Sequence, residues 1–167
     1  MNILNDTALQ SLLADKGSIK IISAADKNGA VHSAVKQSLN INGDGNLRYF
    51  ELLEHSETNK ALTHSLWFNK QISILIAKLS AEGAQSYEVR GTPIRALITG
   101  EEFEMAYRSV RNALGENAEL STVWVIRPDE IRDLQYEVQR KKHDAAHPFT
   151  VHLDRLTNPE SAKEETL

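Results

Sequence analysis

The stretch from Ala30 to Ala77 constrains the fold more than any other part of the chain. It opens on alternation. Val31, Val35, Leu39 and Ile41 fall on one face of an extended segment, and His32, Lys36, Ser38, Asn40 and Asn42 on the other. Gly43-Asp44-Gly45 turns the chain back into a second strand, Leu47 to Leu53. Ser56-Glu57-Thr58-Asn59-Lys60 then reads as a polar helix start, and one short helix follows. The apolar run Ile72-Ser73-Ile74-Leu75-Ile76 closes the segment as a buried strand. Hairpin, short helix and strand, with polar groups gathered at the helix entrance, mark where a ligand site belongs.

The flanks extend the same pattern. Asp6 is placed to cap a short helix with Leu9, Leu12 and Leu13 on one face and Gly17 as its stop. Ser18 to Ala25 reads as a strand, and Asp26-Lys27-Asn28-Gly29 as a hairpin turn of type I′. Ser80 to Gln85 reads as a loop, and Ser86 to Thr99 as a long strand with a bulge or edge at Gly91 and Pro93. Thr99-Gly100-Glu101-Glu102 fits a capping box ahead of a helix striped by Phe103, Ala106, Tyr107, Val110, Ala113 and Leu114, which Gly115 ends. Thr122 to Ile126 is a short apolar strand containing Trp124, with Pro128 breaking it, and Ile131 to Val138 continues the sheet. About six strands and three helices joined by tight turns argue for an antiparallel sheet closed into a barrel rather than a doubly wound α/β fold.

The 167 residues fit one domain, expected over 1–157, with a polar, poorly ordered tail over 158–167. A net charge of −4 gives no general attraction to nucleic acid or an anionic membrane, and 6% aromatic content leaves few stacking platforms. The absence of cysteine excludes disulfides, thiolate catalysis and sulfur-ligated metals. No run of residues is long and apolar enough for a membrane helix, so a cytoplasmic location is expected.

This order of elements resembles the pyridoxamine 5′-phosphate oxidase-like, FMN-binding split barrels. The family opens with a short helix, a strand, an Asp-x-x-Gly hairpin and a second strand carrying polar cofactor ligands. Here these are Leu9 to Leu13, Ile19 to Ala25, Asp26 to Gly29, and Val31 to Asn42. An aspartate-glycine turn, a third strand, a Lys-containing helix and a Leu-x-x-Asn-Pro-x-Val pattern follow in the family. This chain has Leu66-Trp67-Phe68-Asn69-Lys70-Gln71-Ile72 at that last place, with Lys70 instead of proline. The likeness spans Leu9 to Tyr136.

The resemblance implies a mainly β fold with some α, namely a six-stranded antiparallel Greek-key barrel with a few flanking helices. It also implies FMN as cofactor, a homodimer with the cofactor between subunits, and oxidoreduction of a small molecule. Lys36 and Ser38 are candidates for the flavin's ring edge or ribityl chain. Ser56, Thr58, Asn59 and Lys60 are candidates for its phosphate at a helix start, and Arg90 for a second cation. Lys60 lies two residues further from the following strand than the family's lysine, with Leu62 in the strict register. Either the helix entrance is longer here or another group holds the phosphate.

Structural roles stand beside each of these. Ser56 and Thr58 are ordinary helix caps, Lys36, Lys60 and Arg90 ordinary surface or structural cations, and Trp124 a core or dimer-interface residue. Pyridoxamine phosphate oxidation itself is not expected, since Leu153-Asp154-Arg155-Leu156 only faintly echoes the Arg-rich end of the true oxidases. His55 and His64 flank the proposed entrance as candidate proton donors. His143 and His147 have i, i+4 spacing, yet no Glu stands in the HExxH position, and no metal is expected there. The rival readings are a non-catalytic flavin or heme carrier and a cofactor-free structural or regulatory barrel.

Overall fold

In the computed structural model, which describes residues 3–81 and 83–148, seven strands form one antiparallel sheet. They are β1 (Ile19–Ala25), β2 (Val31–Val35), β3 (Asn40–Ile41), β4 (Leu47–Glu51), β5 (Ile72–Ser80), β6 (Gly83–Leu97) and β7 (Thr122–Asp133). Their spatial order is β2-β1-β5-β6-β7-β4-β3. A 3₁₀ turn (Ile3–Asn5), α1 (Thr7–Ala14), α2 (Glu57–Trp67) and α3 (Glu101–Leu114) complete the unit Met1–Gln135. A second unit, Tyr136–Leu167, contains α4 (Tyr136–Ala146), which replaces the strand expected to run on to Val138. The tail over 158–167 and Leu153 to Leu156 lie outside the described residues.

The strand count differs from the expected six because the segment Val31 to Asn42 is not one strand. After Val35 the chain leaves the ladder. Lys36 N–H still donates to Lys20 O at 2.8 Å. Ser38 then reaches the opposite edge, where its Oγ accepts from Phe50 N–H (3.1 Å) and donates to Phe50 O (3.3 Å). One serine thus satisfies the strand-edge backbone of β4 beyond the end of β3, and links the two margins of an otherwise open sheet.

Both early turns use a side chain the sequence pattern does not reveal. Asp26 Oδ1 accepts from Asn28 N–H (2.8 Å) and Ala30 N–H (2.9 Å), and Asn42 Oδ1 accepts from Asp44 N–H (3.1 Å) and Asn46 N–H (2.9 Å). Only the closing glycines, Gly29 (φ 84°) and Gly45 (φ 78°), are left-handed in these turns. The expected type I′ turn at Asn28-Gly29 is therefore a three-residue loop with a single left-handed glycine.

Three further expectations are corrected. β5 and β6 pair through Ser80 and Gly83, so the ladder runs on through residues read as a loop. Pro128 does not break its strand, because it lies opposite Gly91, where the β6–β7 register shifts. A Cβ on Gly91 would sit 2.8 Å from Arg127 O, so the close approach of these strands requires glycine. Gly100, without a side-chain bond, stands at the N-cap of α3; Glu102 instead pairs with Arg48 at 3.5 Å.

The core lies on both faces of β7. Trp124 and Ile126 pack with Ile22, Ile74, Ile76 and Val89 and with α1 and α2. Val123 faces the other way, against Ala106 and Val110 of α3. Asp6 caps α1 through Leu9 N–H at 2.9 Å, as its position predicts. No helix among the described residues is long and apolar enough to cross a membrane.

Candidate functional site

Alternation along β4 turns Leu47, Tyr49 and Glu51 inward. Glu51 is the last residue of that strand and is 2% exposed. A carboxylate in such a place must be bonded, because burying it without partners is costly. Its Oε2 accepts from Ser56 Oγ (2.8 Å), from Lys36 Nζ (3.1 Å) and from the Tyr49 hydroxyl. Its Oε1 accepts from Leu53 N–H (3.1 Å). The donors come from the end of β2, from β4, from the turn after it and from the N-cap of α2.

Burial pushes the Glu51 carboxyl upward, but bonds from Tyr49, Ser56, Leu53 N–H and Lys36 outweigh it and hold the group below the ordinary carboxylate range. Tyr49 moves the other way. Burial raises it first, and the bond to Glu51 with its charge raises it further. The Lys36 ammonium also lies 5.2 Å from the centroid of the Tyr49 ring.

This cluster borders a cleft of about 550 Å³ between the sheet and α3. Lys36, Ser38 and Glu51 form one side, and Val110, Ala113 and Leu114 the opposite wall. A polar rim facing an apolar wall suits a flat ring with hydrogen-bonding atoms along one edge.

The seven expected site residues divide. Lys36, Ser38 and Ser56 converge on Glu51 or its cleft; the other four point elsewhere. Thr58 is buried, with its hydroxyl 3.2 Å from His32 Nε2. Asn59 donates to Glu54 O (2.7 Å) and accepts from Trp124 Nε1 (2.9 Å), on the edge of a second cleft of about 570 Å³. Lys60 is exposed and pairs with Glu57 at 2.7 Å. Arg90 joins a network on the outward face of β6, 3.6 Å from Glu88 and 3.8 Å from Glu130.

Neither histidine proposed as a proton donor lines the Glu51 cleft. His55 is exposed, and His64 packs against Phe68 with ring centroids 4.7 Å apart and the planes tilted by 43°. The rings of His143, on α4, and His147, just past its end, are 4.9 Å apart; no group of three or more potential metal ligands occurs among the described residues. Trp124 is a core residue, 1% exposed. The residues missed by sequence reasoning are Glu51 and Tyr49. Their signal was present, since alternation from Leu47 puts both on the inward face.

No family model matches the sequence, and no curated protein matches it either. Solved structures do match. HupZ from Group A Streptococcus shares 19% identity over 78% of this chain and 94% of its own, with a TM-score of 0.61. An FMN-binding protein from Syntrophomonas wolfei shares 17% over 75% and 83%, with a TM-score of 0.57. HutZ, the heme storage protein of Vibrio cholerae, shares 10% over 80% and 95%, with a TM-score of 0.55. At such identities the likeness is one of fold. It is a pyridoxamine 5′-phosphate oxidase-like fold, shared with structures from Lactobacillus delbrueckii and Listeria innocua that carry that oxidase's name.

Proposed function

We propose that this chain is a cytoplasmic, homodimeric flavoprotein that binds FMN in the Glu51 cleft and acts as an oxidoreductase on a small molecule. The observation that carries this reading is the pairing of a polar rim (Lys36, Ser38) with an apolar wall from α3 in one cleft. A fold shared with an FMN-binding protein supports it. When bound, the flavin supplies the electron transfer, and the protein positions it. The ring end fits. Lys36 keeps N–H donors for its edge beyond the one given to Glu51, and Ser38 Oγ, which already donates to Phe50 O, keeps a lone pair to accept from it, while Val110 and Ala113 exclude water from its face.

The phosphate end fits less well within one subunit. Lys36 is paired with Glu51, Lys60 with Glu57, and Arg90 with Glu88 and Glu130. Val35, Leu53 and Leu114 leave apolar side chains at the mouth of the cleft, 58%, 68% and 64% exposed. Such a mouth supports association with a second copy.

The test is the absorbance spectrum of the purified protein with added FMN and, separately, added heme. Flavin bands retained through gel filtration at the mass of a dimer are expected, with bleaching on addition of a reducing substrate. Uptake of heme with no uptake of flavin overturns the reading in favour of a heme carrier.

A further inference from the structure

The groups that meet at Glu51 are those that hold an external anion elsewhere. They are an ammonium, two hydroxyls and a backbone N–H, set where the chain enters α2. The helix dipole adds positive potential at that entrance. In this chain the position is taken by a carboxylate of the chain itself. It is 2% exposed and accepts from all four groups.

We infer that Glu51 is an internal anion filling a cradle built by Lys36, Tyr49, Leu53 and Ser56, and that it sets this cleft against a ligand's phosphate. The identity of the ligand rests on the flavin reading; the existence of the cradle does not. An incoming phosphate meets a like charge, and it finds both hydroxyls and the backbone N–H of the cradle already used. Displacing Glu51 would leave a buried carboxylate unpaired, which is strongly unfavourable. Ring contacts therefore dominate binding, and a flavin lacking the phosphate competes with FMN. Removing the carboxylate leaves Lys36 and Ser56 with no internal anion and turns the cradle into a phosphate site.

The experiment titrates the full chain with riboflavin and with FMN, following quenching of flavin fluorescence. Wild type is expected to bind the two within about threefold of each other. Glu51→Ser is expected to favour FMN by about tenfold or more. Glu51→Asn, which removes the charge and shortens the side chain so that it vacates the cradle, serves where the serine variant does not fold. In parallel, the thermal midpoint is followed with millimolar inorganic phosphate against chloride at matched ionic strength. Phosphate is expected to raise the midpoint of the Glu51 variants and not of wild type.

Preference for FMN by about tenfold in wild type, or no change of preference in the variants, overturns the inference. If wild type and variants take up neither flavin, the flavin reading falls and the phosphate arm decides the cradle alone. Stabilisation confined to the variants then upholds the cradle, and equal responses overturn it.

Discussion

Glu51 and Glu88 are carboxylates on strands of the same sheet, and each faces cations, yet their surroundings differ in one respect. Glu51 is sealed from solvent, with its side chain 3% exposed, and is held by four donors. Glu88 is partly open on the outward face. Ser73 Oγ donates to it at 2.9 Å, and Arg90 and Arg132 lie 3.6 and 3.7 Å away, both 41% exposed. Arg132 also grips Glu130 at 2.7 Å. Glu88 and its arginines are open to water, whereas the Glu51 carboxylate itself is closed to it. The same pairing of charges is therefore structural scaffolding in one place and exchangeable surface in the other.

The largest expected effect comes from removing the sealed carboxylate. Glu51→Ala strips four donors of their acceptor and should lower unfolding free energy by about 2–4 kcal/mol in urea denaturation. A loss under about 0.5 kcal/mol would mean that the two clusters do not differ in kind.

Acid unfolding sharpens the same contrast. The Glu51 carboxyl is lower in the folded state than its ordinary value of 4.5. Its contribution is therefore fully present above that ordinary value and is lost as pH falls through the lower, folded one. Glu51→Gln should flatten the fall in stability below pH 4.5. Persistence of the wild-type slope in the variant would assign acid sensitivity to other groups.

The smallest effect is expected on the outward face. A double-mutant cycle of Glu88→Gln and Arg132→Gln should give a coupling of about 0.2–1 kcal/mol at low salt. The coupling should fade toward zero near 1 M salt, where the screening length is about 3 Å. A coupling that survives high salt would place this network with the Glu51 cluster after all.

Much of this architecture was legible wherever a local rule acts alone. Asp6 capping α1, Ser56 capping α2, Gly115 closing α3 and the bulge near Gly91 and Pro93 were all readable from turn and cap chemistry. What escaped depends on residues distant in sequence. The polar run Lys36-Gln37-Ser38 interrupts alternation for one residue only before Leu39 and Ile41 resume it, so periodicity does not register that Ser38 has left the ladder to bond Phe50. Pro128 reads as a breaker until Gly91 is placed opposite it. Glu102 reads as the end of a capping box, but Arg48 claims it from another strand.

The site was half legible for the same reason. Lys36, Ser38 and Ser56 were recognisable as polar groups near a helix start. The carboxylate that gathers two of them reads in the sequence as one more residue of a strand. Its inward parity alone marked it.

β5 and β6 meet through Ser80 and Gly83, near neighbours in the chain, whereas Leu47 of β4 must find Ile126 of β7 across β5, β6 and α3. Closing the longer loop is the slower event, so the β5–β6 hairpin should form early and β4 should join late. The donors to Glu51 all lie between residues 36 and 56, but its strand pairing with Thr122, and with it the seal around the carboxylate, is completed only with that last step. We therefore expect Glu51→Gln to quicken unfolding while leaving refolding nearly unchanged in stopped-flow measurements. Val89→Ala, within the β5–β6 hairpin, should slow refolding instead. On this view Glu51 governs how long the folded chain survives, not how quickly it is reached.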